Sequence, residues 1–166
     1  MNVTKARQSA VEVVAAALTV YAERRVFQGF SRGAVAGSKA IFRIAWHRGR
    51  VFELAFDTSK GTLRLPQVLT GVPADSTMYQ DLKAFIKARQ SADLPGHRRI
   101  DIRRAQVRTY NRDGNISLVL TVIDGDVAYG VQKLIHLVHE IYMTFLADGN
   151  YFEYLVETFD LDPDRM

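Results

Sequence analysis

Three side chains in one long apolar run have residue types and spacing suited to chemistry. His136, His139 and Glu140 lie three and four positions apart, so on a helix they share a face and could hold a metal ion or move a proton. A zinc hydrolase requires His-Glu-x-x-His or the inverted His-x-x-Glu-His. The order here is His-Leu-Val-His-Glu, which is neither. A helical wheel decides more. Val131, Leu134, Ile135, Val138, Ile141, Tyr142 and Phe145 centre the apolar stripe. Glu140 falls nearly opposite it, His136 close to that same side and His139 on the flank. Met143 shares the outward face with His136. The expectation is a solvent or interaction surface of His136, Glu140 and Met143, with an enzyme or metal site around His136, His139 and Glu140 as the competing reading.

A second candidate is basic. Arg98, Arg99, Arg103, Arg104, Arg108 and Arg112 crowd residues 98–112 against Asp101 alone. On a strand, Arg104, Arg108 and Tyr110 share a face, a pattern that could grip a nucleic-acid backbone and stack a base. The competing reading pairs these arginines with the acidic end of the chain, where Asp148, Glu153, Glu157, Asp160, Asp162 and Asp164 occur with no basic residue between 148 and 164. Two further motifs reduce to backbone work. Asp124-Gly125-Asp126 lacks the longer ligand series of a calcium loop and reads as a turn with Asp126 as an N-cap. Residues 31–39 are glycine-rich and basic but lack the Gly-Lys-Ser/Thr ending and following helix of a phosphate loop; they read as a flexible connection or flap. No Ser-His-acid order or carboxylate pair stands out, so no catalytic residue, metal ligand or cofactor is assigned.

Composition bounds the remaining choices. The 166 residues are 48% hydrophobic and 24% charged, with a formal net charge of +4. That is a globular balance in a chain long enough for one domain with its own core. The absence of cysteine removes disulfides, thiolate nucleophiles and Cys-ligated metals and fits a reducing, cytoplasmic setting. The basic excess permits an anionic partner without requiring one. No run reaches the length of a membrane span. Lys5 and Arg7 ahead of the apolar residues 10–22 imitate a secretion signal, but Glu12 interrupts that run and the pattern continues as a helix.

The elements that must position these residues follow from periodicity. A first amphipathic helix covers about residues 4–25, with Val11, Val14, Ala15 and Leu18 in its stripe. Alternation then takes over. Ala40, Phe42, Ile44 and Trp46 align with Phe52, Leu54 and Phe56 across a short loop in which Gly49 adopts a left-handed conformation. Residues 62–65 make a short third strand or edge segment before Pro66. A second helix spans about residues 76–89, capped by Asp75 or Ser76. A second hairpin joins residues 99–110 to 115–123 through Asn111-Arg112-Asp113-Gly114, with a bulge at Arg103-Arg104 restoring its phase. The helix of residues 127–146 and a short one over 151–159 complete the order α-βββ-α-ββ-α-α, with a loose tail at 160–166. Two hairpins with an apolar inner face and three amphipathic helices make an α+β domain, an antiparallel sheet with helices packed on it.

This element order resembles the type III secretion chaperone fold. The resemblance implies a small cytoplasmic homodimer that binds a partner polypeptide without catalysing a reaction. A nucleic-acid binder using the arginine-rich strand is the alternative.

Overall fold

The computed structural model describes residues 3–47 and 49–159; the tail expected at 160–166 lies outside the described residues. The chain forms the expected α+β domain, a six-stranded antiparallel sheet with helices packed on one face. Helix α1 (Val3–Glu23) leads into four strands, β1 (Gly29–Ala36), β2 (Lys39–Trp46), β3 (Arg50–Asp57) and β4 (Thr62–Leu69). Helix α2 (Thr77–Arg89), the hairpin β5 (Ala105–Arg112) and β6 (Asn115–Val122), and helix α3 (Val127–Glu140) follow. Past α3 the backbone widens into a π-helical segment, Ile141–Ala147, before α4 (Phe152–Phe159). The sheet order is β1-β2-β3-β4-β6-β5, so β6 pairs with β4 and leaves β5 on the edge.

The period-two pattern sets the core. In the β2–β3 register Ile44 faces Phe52, Phe42 faces Leu54 and Ala40 faces Phe56, and all six are buried. Gly49 supplies the left-handed turn at φ +82°. Leu63 and Leu65 of β4 extend this face to Leu118 and Leu120 of β6, each at most 1% exposed. Against it pack Val14 and Leu18 of α1, Leu82 and Ile86 of α2, and Val131, Leu134 and Val138 of α3. The caps match the sequence. The Ser76 hydroxyl accepts from the Tyr79 amide at 3.1 Å and the Asp126 carboxylate from the Tyr129 amide at 3.1 Å, each satisfying a donor the helix start leaves open.

Three local expectations are corrected. Residues 31–36 belong to edge strand β1, which closes on β2 through a Gly37–Ser38 turn, and are not a loose flap. Its small residues leave no apolar alternation to read; backbone pairing with one neighbour orders it, and a Cβ on Gly33 would stand 3.1 Å from the Ile41 carbonyl. Strand β4 continues through Pro66 to Leu69 and sits inside the sheet. It does so by bulging. Leu65 pairs with Leu118 but Leu69 with Ile116, so two extra residues are accommodated between them, with Gln67 at φ +56°. Strand β5 begins at Ala105 with no bulge at the paired arginines. Residues 101–104 form a turn in which the Asp101 carboxylate accepts from the Arg103 amide at 3.0 Å.

Helix α3 lies close on β6 because Gly130 faces the sheet. A Cβ there would meet Val122 Cγ2 at 2.8 Å and Leu120 Cδ2 at 3.1 Å. Gly130→Val is therefore expected to lower the unfolding free energy by about 2 kcal/mol through overpacking. Urea denaturation checks it, and an unchanged midpoint would contradict the close approach.

Candidate functional site

The outward cluster on α3 divides when folded. Glu140 turns toward the end of α2, where its carboxylate meets Arg89 Nη1 at 2.6 Å, with the two side chains only 25% and 16% exposed. His136 stays exposed one turn earlier, and Met143 is 48% exposed on the π-helical segment. His139 leans the other way, its ring centroid 6.4 Å from that of His47. The three residues that could have chelated a metal thus serve different neighbours. Among the described residues no group of three His, Asp or Glu side chains is arranged to hold a metal.

The arginine run divides as well. Arg104 precedes β5 and does not share a free face with Arg108. Its Nε donates to Asp124 at 2.8 Å and its Nη2 to Asp126 at 2.7 Å, while the guanidinium carbon lies 3.8 Å from the Tyr129 ring centroid. Arg103 folds back on Asp101 at 2.9 Å, and those hydrogen bonds hold the Asp101 carboxyl down at about 2. The expected pairing with the acidic end does not occur among the described residues; Asp148, Glu153 and Glu157 form no ion pair there. Carboxylates close in sequence or in the fold reach Arg103 and Arg104 first.

Arg108 and Tyr110 lie on the sheet face that no helix covers. Strand register sets Arg64 of β4 and Arg108 of β5 on either side of Val119 of β6, about 10 Å apart at the usual strand spacing. Neither is in an ion pair with a described residue. Together with Lys39, Lys60, Asp57 and Tyr110 they line a depression of about 490 Å³. Asp57 is already engaged, accepting from the Ser59 hydroxyl at 2.6 Å and the Ser59 amide at 3.0 Å, which lowers its carboxyl pKa. Tyr110 is 51% exposed beside Arg108. The result is a concave, mainly cationic surface on a rigid sheet.

A third polar cluster was not singled out from the sequence. Arg50, at the start of β3, donates to the Val68 carbonyl at 2.7 Å and also to the Gln67 carbonyl and the Tyr142 hydroxyl. Tyr142 donates to the same Val68 carbonyl at 2.7 Å. These donors satisfy carbonyls that the β4 bulge removes from the ladder. Burial first of all pushes the Tyr142 phenol up to about 12. His47, held left-handed at φ +48°, stacks on Tyr142 with centroids 4.1 Å apart and on Trp46 at 4.2 Å. Its Nε2 is buried without a hydrogen-bond partner. Pro66 inside a strand is the available clue, since a proline in a ladder frees carbonyls that need donors elsewhere.

No protein-family model matches the chain, and neither a curated protein nor a solved structure shows significant similarity to it. Among the described residues no helix is long and apolar enough to cross a membrane.

His47 makes stability depend on pH. Burial, then the charges of His139 and Arg50, hold its imidazole down at about 4 against an ordinary 6.5. Between these values the unfolded chain binds a proton that the folded chain does not. Stability is thus retained above pH 6.5 and lost as pH falls toward 4, by about 2 kcal/mol after discounting for the ring's partial exposure. His47→Asn keeps a residue tolerant of the left-handed backbone and removes the titration. Denaturant unfolding at pH 7 and pH 4 should show the wild type losing about 2 kcal/mol more than the variant; equal losses would rule the account out.

Proposed function

We propose that this chain is a non-catalytic macromolecule-binding domain, chaperone-like or adaptor-like, which takes an acidic partner on the uncovered face of its sheet. The observation that carries this reading is the placement of Arg64 and Arg108 across Val119 on a bare, concave surface, each without a carboxylate among the described residues. A rigid sheet holds such cations in place before a partner arrives, which reduces the ordering cost of binding. The resemblance of its element order to the secretion chaperone fold supports a polypeptide as that partner and a cytoplasmic setting. Tyr110, exposed two residues from Arg108, favours a second reading in which single-stranded nucleic acid lies on the same face and stacks a base there.

One experiment separates the two. An acidic peptide and a single-stranded oligonucleotide are titrated at several salt concentrations against wild type, Arg64→Ala/Arg108→Ala and Tyr110→Ala. The double variant is expected to weaken the preferred partner about tenfold or more. If that partner is nucleic acid, the log–log salt slope falls by about 1 per arginine removed, and Tyr110→Ala costs a further stacking contribution. Equal affinity of wild type and the double variant for both probes would remove the sheet face from the reading.

Self-association belongs to the same proposal. Helix α1 buries Val14 and Leu18 but leaves Val13 and Val20, two turns apart, 40% and 41% exposed. We place the homodimer contact on this outer stripe. Sedimentation at micromolar concentration should give twice the chain mass, and Val13→Glu/Val20→Glu should return it to one chain. A wild type that sediments as a monomer contradicts the dimer.

A further inference from the structure

We propose that the recess between the end of α2, the turn before β5 and α3 is a binding site for a small dianionic oxyanion of the phosphate class. This site lies on the helical side of the domain and does not rest on the sheet-face reading. The recess measures about 180 Å³ and is lined by Arg89, His97, Arg98, Lys133, His136 and Glu140. Each of these contributes differently.

Lys133 forms the floor. It is only 7% exposed, and the hydrogen-bond partner of its ammonium among the described residues is the His97 carbonyl at 3.3 Å. An ammonium has three protons to donate and a high desolvation cost, so a buried lysine is normally met by an anion. The nearest cations make its position worse. Burial first, then the charges of Arg104 and Arg99, oppose the protonated form, and Glu140 and the Tyr129 ring, 5.4 Å from the ammonium, favour it. Arg89 forms one wall. Its Nη1 is bound to Glu140, but its Nε is buried with no acceptor. The rim consists of His97, Arg98 and His136, all exposed and able to move toward a ligand.

The charge count suits a dianion. Arg89, Arg98 and Lys133 against Glu140 leave a net +2 with both histidines neutral. The volume is several times the ~30 Å³ share of a water molecule, yet well below the roughly 300 Å³ and more typical of drug-sized ligands. It admits a phosphate group with at most a small substituent and leaves no room for a nucleotide. Glu140 repels an anion, but it also fixes the Arg89 guanidinium in the wall of the recess.

The test uses the full chain at constant ionic strength, titrated calorimetrically with inorganic phosphate. Saturable one-to-one binding is expected. Lys133→Met should weaken it by about tenfold or more, as expected for loss of a buried charge-assisted partner. Arg98→Gln, on the exposed rim where folding is not at risk, should weaken it at least about threefold by removing a charged contact. Methyl phosphate as a second titrant distinguishes the sources. Binding comparable to phosphate assigns the site to a phosphomonoester, and exclusion assigns it to the free ion. An NMR titration of His136 provides a signature independent of affinity. Burial and then Lys133 hold its imidazole below the ordinary value, and a bound dianion should raise it in the wild type. Phosphate binding no stronger than that of chloride, or both variants binding like the wild type, would overturn the proposal.

Discussion

Everything in this domain depends on one asymmetry of the sheet. Alternate residues of β2, β3, β4 and β6 carry large apolar side chains on one face, while the other face is mainly small, polar and charged, with Ile41, Val51 and Val119 interspersed. Helices with an apolar stripe can gain only by covering the first face. Three of them share it, and the acidic Glu140 and basic Arg89 that edge this layer find each other across the α2–α3 junction. The other face keeps water as its neighbour; Arg43 meets Glu53 across the β2–β3 pair there, while Arg64 and Arg108 are held apart by strand spacing.

A cost follows from placing β4 inside the sheet. Pro66 cannot donate to a ladder, and the two-residue bulge around it releases carbonyls on a strand flanked by two others. Arg50 and Tyr142 meet that demand together. Tyr142 reaches the bulge from the π-helical segment, where one wider turn shifts side chains relative to a continued α-helix; a single turn of this kind is the usual form of such segments. His47 then fills the space above Tyr142 as a neutral ring. Three departures from regular backbone, at His47, Gln67 and Ile141–Ala147, therefore meet at one place and compensate one another.

How much of this was legible depended on whether the information was local. The hairpin from Lys39 to Asp57 could be read because its aromatic alternation and the glycine of its turn agreed. Ser76 and Asp126 could be read because capping needs only a side chain and an amide three residues on. Strand β1 could not, since Ser31, Gly33 and Ala34 carry no pattern and its order comes from β2. The π-helical turn also leaves the apolar run of 127–146 unbroken in sequence. The arginine-rich segment misled because charge pairing is a three-dimensional choice. Arg104 is held by Asp124 and Asp126, 20 and 22 residues away in sequence but adjacent across the hairpin, while Arg108, four residues further along, faces outward. Composition alone does not say which arginines stay unpaired on the surface.

The pairing of β4 with β6 also bears on how the chain reaches this state. Strands β1 to β4 form a meander of near neighbours in sequence, whereas β6 joins β4 only after α2 and β5 have been passed. Local pairings close faster than distant ones. Until β6 arrives, the inner edge of β4 is an open ladder flanked by Leu63 and Leu65, the kind of edge that recruits foreign strands. Pro66 and its bulge interrupt that ladder partway along. The same irregularity that needs Arg50 and Tyr142 in the finished domain thus shortens the stretch of bare strand exposed during synthesis, a safeguard against aggregation that operates before the native core exists.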